Sequence, residues 1–96
     1  MREGKTATGF EFKFDESRLN NMRLVETFAE YSDTTKPEIT RIGAFSKAIS
    51  LLLGDEEKDK LYDHIAGYSE GLVPVDALDK ELTEILAAEP GNTVKN

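Results

Sequence analysis

Thr8-Gly9-Phe10-Glu11-Phe12-Lys13-Phe14 decides the fold. Phe10, Phe12 and Phe14 alternate with Glu11 and Lys13, and a period of two is that of a strand with one buried face. Lys5-Thr6-Ala7 is placed to pair back across Thr8-Gly9, because Gly supplies the positive φ of a tight turn. Two strands alone are marginal in water, so the Phe row must lie on something. Core packing is the first reading of the row. The second leaves part of it open until a partner covers it, by strand addition at the ribbon edge or by side-chain burial. On that second reading the partner-binding residues are Phe10, Phe12 and Phe14, extended by Tyr31, Tyr68 and Leu72 near element ends.

Helical patterns fill the chain after the Phe row. Asp15-Glu16-Ser17 can satisfy free N–H groups and suits the positive end of a helix dipole. Leu19, Met22, Val25, Phe28 and Ala29 then recur at three- and four-residue spacing, predicting one helix to about Ser32. Pro37 suits a first helical position. Ile39, Ile42, Phe45, Ile49 and Leu52 make a second stripe, widened by Ala48 and Leu53 into a face sunk in the core. Gly54 ends that helix and Asp55 opens the next, whose stripe is Leu61, Tyr62 and Ile65 before Gly67. Gly67 to Gly71 reads as a connector, and Leu72-Val73-Pro74-Val75 as extended, since a residue before Pro avoids the helical region. Asp76 can cap a last helix with Leu78, Leu82, Ile85 and Leu86 on one face, stopped by Pro90-Gly91.

Helices shorter than about 12–15 residues are marginal alone, so each stripe must find another. The expectation is one α+β domain over residues 1–96, mainly α: a short N-terminal hairpin, then four helices, with 1–4 and 90–96 as loose ends. A chain of this size supports one modest core. Several stripes in so small a domain leave room for one to be shared with a second copy.

Charge narrows the function. Lys+Arg 12 against Asp+Glu 19 leaves −7, and all of it falls after Gly54, since residues 1–54 carry eight of each sign. Phosphate backbones would repel such a half, which argues against nucleic-acid binding. The acidic half reads first as a solvated face and second as a guide toward a basic partner. With no Cys there is no disulfide, thiolate site or cysteine nucleophile. The apolar runs are too short to span a membrane, and Met1-Arg2-Glu3-Gly4-Lys5 does not open a signal peptide, so a cytoplasmic location is expected.

No constellation asks for catalysis, metal or cofactor. Asp55-Glu56-Glu57-Lys58-Asp59 begins like a calcium loop, but its sixth and twelfth positions would be Lys60 and Ala66, where Gly and a bidentate carboxylate are needed. His64, the sole imidazole, has no Gly-x-Ser-x-Gly partner and reads as a half-exposed helix position beside Lys60. The glycines form no phosphate-cradling pattern. A non-enzymatic protein is expected.

The order of these features resembles a known family. A Gly-Phe-x-Phe strand leads to an acidic amphipathic helix and a helix ending Leu51-Leu52-Leu53-Gly54. Asp55 to Ile65 comes next, then Val73-Pro74-Val75 and Leu82-Thr83-Glu84-Ile85-Leu86. Over about residues 8–88 this is similar to the small tail assembly chaperones of long-tailed phages and prophages of Gram-positive hosts; Asp33 to Thr40 is longer and more polar than in that family. The resemblance implies a chaperone that binds the tape measure protein and keeps it soluble while tail tube subunits polymerise around it. It implies the host cytoplasm as location and absence from the finished virion. The rival expectation, resting on the acidic half, is a regulatory adaptor or inhibitor that occupies a basic groove of a host protein.

Overall fold

The computed structural model describes residues 1–88, and over them the chain is α+β and mainly helical. The hairpin is β1 (Arg2–Lys5) paired antiparallel with β2 (Glu11–Phe14), in the register Arg2 to Phe14 and Gly4 to Phe12. Alternation holds: Phe12 and Phe14 are buried, while Glu11 and Lys13 face out. The return strand is earlier than the sequence suggests. Thr6 closes the turn by accepting from Gly9 N at its carbonyl, donating its own N–H to Phe10 O, and receiving Phe10 N at its hydroxyl. Thr6 and Ala7 are thereby spent on the loop, with Gly9 at φ 99°. Residues 2–4, expected to be loose, are strand; 90–96 lie outside the described residues.

One 3₁₀ turn (Glu16–Asn20) precedes α1 (Met22–Ser32), where the sequence reads as a single helix. Asn21 interrupts it at φ −115°, ψ 115°, and its side chain accepts from Arg23 N to cap α1. The interruption resets the helical phase. Leu24, Thr27, Phe28 and Tyr31 turn inward, whereas Met22 and Val25, expected in the core, are 66% and 46% exposed. Thr27 can join the inner face because its hydroxyl donates to Leu24 O at 2.7 Å.

Helix α2 (Glu38–Leu53) is the centre, as its broad stripe predicts: Phe45, Ala48, Ile49 and Leu52 are sealed from solvent. Ile39 misses the core and is 80% exposed, because the helix has only begun there. Helix α3 (Asp55–Tyr68) comes after Gly54 alone and runs through Gly67 to Tyr68, two residues past its expected end. Helix α4 (Val75–Ala87) starts directly after Pro74, so Val75 is helical and Asp76 lies in the first turn rather than at the cap. The hairpin's phenylalanines, Leu24, and the inner faces of α2, α3 and α4 form one cluster. No helix among the described residues is long and apolar enough to cross a membrane.

Gly54 sits at φ 90°, ψ 155°, a region essentially closed to other residues, and this permits α2 and α3 to meet with no linker. Gly54→Ala should cost about 1–3 kcal/mol through backbone strain alone. Its Cβ would meet only Arg18 Nη1 at ordinary contact distance, so crowding adds little. Urea unfolding of the variant checks this.

Three arginines finish helices. Arg2 donates to Leu86 O and Ala88 O at the end of α4, Arg18 to Leu52 O in α2, and Arg41 to Tyr31 O in α1. Each places a cation where orphan carbonyls and the negative dipole end gather. Three of the eight cations in residues 1–54 are thus used internally.

Candidate functional site

The six residues suggested for partner binding separate into three groups. Phe10, Phe12 and Phe14 are 6%, 5% and 3% exposed, so the Phe row is core and its docking reading finds no open surface here. Strand addition is also discouraged, because Arg2, Glu3 and Lys5 line the outer strand with charge. Tyr31 is half-buried: its ring stacks on Phe45 with centroids 4.3 Å apart and planes 9° apart. Burial, and secondarily the Asp79 carboxylate, push its phenol above the ordinary range. Tyr68 and Leu72 alone remain open, 46% and 67% exposed, on either side of the α3–α4 connector. That connector turns sharply, with Glu70 and Gly71 both at positive φ and Gly71 N donating to Ala66 O.

A cluster the sequence reading missed lies beneath Tyr68. Glu81 of α4 is 3% exposed although charged. Its Oε2 accepts twice, from Thr8 Oγ1 at 2.5 Å and from the Tyr68 hydroxyl at 2.7 Å, while its Oε1 is buried with no partner. His64 Nε2 lies 2.9 Å from Thr8 Oγ1. Thr8 has one proton and gives it to Glu81, so the imidazole is the donor in that contact, with its hydrogen on Nε2. Thr6 completes the group 3.2 Å from Thr8 Oγ1. The signal was present: Glu81 falls at the i+3 position of the Leu78, Leu82, Ile85 stripe, where an apolar residue belongs.

Burial works to raise the Glu81 carboxyl, but the hydrogen bonds from Thr8 and Tyr68 and the nearby Thr6 and His64 outweigh it and hold it below the usual range. A carboxylate so held is a weak base, and His64 faces Thr8 with a proton rather than a lone pair. Thr8 therefore has no group to activate it as a nucleophile. What the cluster does is tie the hairpin loop to α3 and α4. Ala7 N adds to the tie by donating to Glu84 Oε1 at 2.7 Å.

Tyr68 is pushed from 10 up to about 12, first by burial and then by the Glu81 carboxylate that takes its proton. The folded state holds this proton more tightly than the unfolded chain does. Its contribution is complete below about pH 10, the unfolded value, and is lost as pH rises through about 12. The difference in stability between the native chain and Tyr68→Phe should therefore shrink across that window and stay flat from neutral pH up to it. Urea unfolding along a pH series reads this directly.

Above the cluster opens a cleft of about 320 Å³, whose wall includes Thr8, Tyr68, Asp76, Lys80, Glu81 and Glu84. The Asp55–Asp63 acids lie on α3, which is helical throughout, so no calcium-type loop forms there. No protein-family model, curated protein or solved structure matches this chain.

Proposed function

We propose that this chain is a non-enzymatic tail assembly chaperone, which binds a tape measure protein in the host cytoplasm and leaves before the virion is complete. The observation that carries the reading is the α3–α4 corner. Tyr68, Leu72 and Val75 keep 46%, 67% and 38% of their surface exposed within eight residues of chain, although a complete core is available to the fold. Apolar side chains held at a hydrogen-bonded corner can cover part of the apolar stripe of a client helix. The acids beside them, Glu70, Asp76 and Asp79, keep such a complex soluble. The sequence resemblance over residues 8–88 names the client, with the tail tube protein as a further partner.

Co-expression tests the reading. The soluble yield of a tape measure protein should rise with this chain present, and the two should elute together on gel filtration. An unchanged yield and no complex would defeat it. Binding by apolar shielding should vary little with salt. A steep loss with added salt would instead favour the acidic adaptor, for which the exposed acids at the start of α3 provide the surface.

A further inference from the structure

We propose that the cleft over Glu81 is a recognition site for a primary ammonium group. This site is independent of the chaperone reading, since it needs a cation and not a particular client. A group of acids is common on a surface this acidic, and Asp76 and Glu84 at the wall would mean little alone. Glu81 is different. It is 3% exposed, and one of its two oxygens has no hydrogen-bond partner. A buried acceptor left unmet costs free energy, so a donor that reaches it recovers what folding lost.

The geometry selects among cations. Oε2 is already filled by Thr8 and Tyr68, which leaves Oε1 as the single open acceptor. A guanidinium binds best through two parallel N–H bonds to both oxygens of a carboxylate, and here one oxygen is taken. A hard divalent ion needs a shell of six or more oxygens, and no three metal-ligating side chains converge among the described residues. An ammonium is a compact charge that can use one strong acceptor and find others around it. The half-exposed Tyr68 ring also lines the cleft, and an aromatic ring attracts a cation that settles over its face. The volume of about 320 Å³ fits one alkylammonium chain.

Lys80 is the site's internal competitor. It lines the same cleft, is exposed, and takes part in none of the described salt bridges. Oε1 is closed to water, so an entering ammonium must displace what covers it, and the Lys80 ammonium is already held at the cleft wall. Removing Lys80 should therefore strengthen binding of an outside ammonium.

An NMR titration of the full chain with n-butylammonium chloride tests the site, with n-butylguanidinium as comparison. Saturable shifts should appear at Thr8, Tyr68 and Glu81, with the guanidinium about tenfold weaker. Glu81→Gln should abolish them while the far-UV spectrum stays helical. Lys80→Ala, a surface change that does not endanger the fold, should tighten binding severalfold and settles the matter if Glu81→Gln fails to fold. A short peptide with one central lysine separates the two sources of the group. Tighter binding than butylammonium assigns the site to a lysine on a polypeptide, and equal binding to a free amine. Absence of saturation at tens of millimolar, equal response to guanidinium, or indifference to Lys80→Ala would each overturn the assignment.

Discussion

Phe12→Asp should abolish folding. Phe12 is 5% exposed, on the inner face of β2 and within the main core cluster. Truncating a buried Phe costs about 3–5 kcal/mol, and leaving an unpaired charge in its place adds several more. Total stability for a domain is only about 5–15 kcal/mol. Far-UV circular dichroism should show the helical signal of α2 to α4 lost along with the hairpin, because the hairpin covers the same core those helices build. The test also separates the two readings of the Phe row. Had the row served a partner, the variant would fold and lose only its client; a native-like spectrum would return the row to the surface.

Phe45→Ala is the second large effect. Phe45 is 1% exposed at the middle of α2 and carries the stacked Tyr31 ring on one side. Its truncation removes about 3–5 kcal/mol. At about 4–8 °C per kcal/mol for a domain of this size, the melting temperature falls by about 12–40 °C. Tyr31 loses its support at the same time, so the near-ultraviolet signal of the tyrosines should weaken even where the variant remains folded. A shift of only a few degrees would mean that the surroundings collapse into the space, and that α2 is not the centre around which the rest is packed.

Much of the fold was legible because it rests on local rhythm. The alternation of Phe10, Phe12 and Phe14 placed β2, and the stripe from Phe45 to Leu52 placed α2 and its central position. Gly54 marked the joint between α2 and α3, and the backbone there takes a positive φ that favours glycine. Rhythm failed at α1. Leu19, Met22 and Val25 keep perfect helical spacing, yet Asn21 breaks the chain between the first and the others and rotates the true inner face to Leu24 and Thr27. An asparagine's preference for capping competes there with an apolar pattern, and the pattern is the louder signal in a sequence.

The site was less legible still, since it depends on partners far apart in the chain. Thr8 and Glu81 meet across 73 positions, and Arg2 reaches Ala88 across 86. No local window contains such a pair. Glu81 did interrupt an apolar stripe, and a charged residue in that place is a fair sign of a buried polar contact. His64, read as an ordinary half-exposed helix residue, occupies such a position and gains a role only through Thr8. Tyr68 and Leu72 could be named from their places at element ends, but nothing in the sequence separated them from the phenylalanines, whose burial took the whole chain to bring about.

On the proposed reading the open α3–α4 corner, and not the Phe row, grips another polypeptide. Leu72→Asp probes that corner alone, because Leu72 is 67% exposed and the change should leave stability within about 0.5 kcal/mol. Co-expressed with the tape measure protein, the native chain should yield a soluble complex on gel filtration, and the variant, equally stable, should leave the client insoluble. A variant that carries the client as well as the native chain does would refute the corner's role.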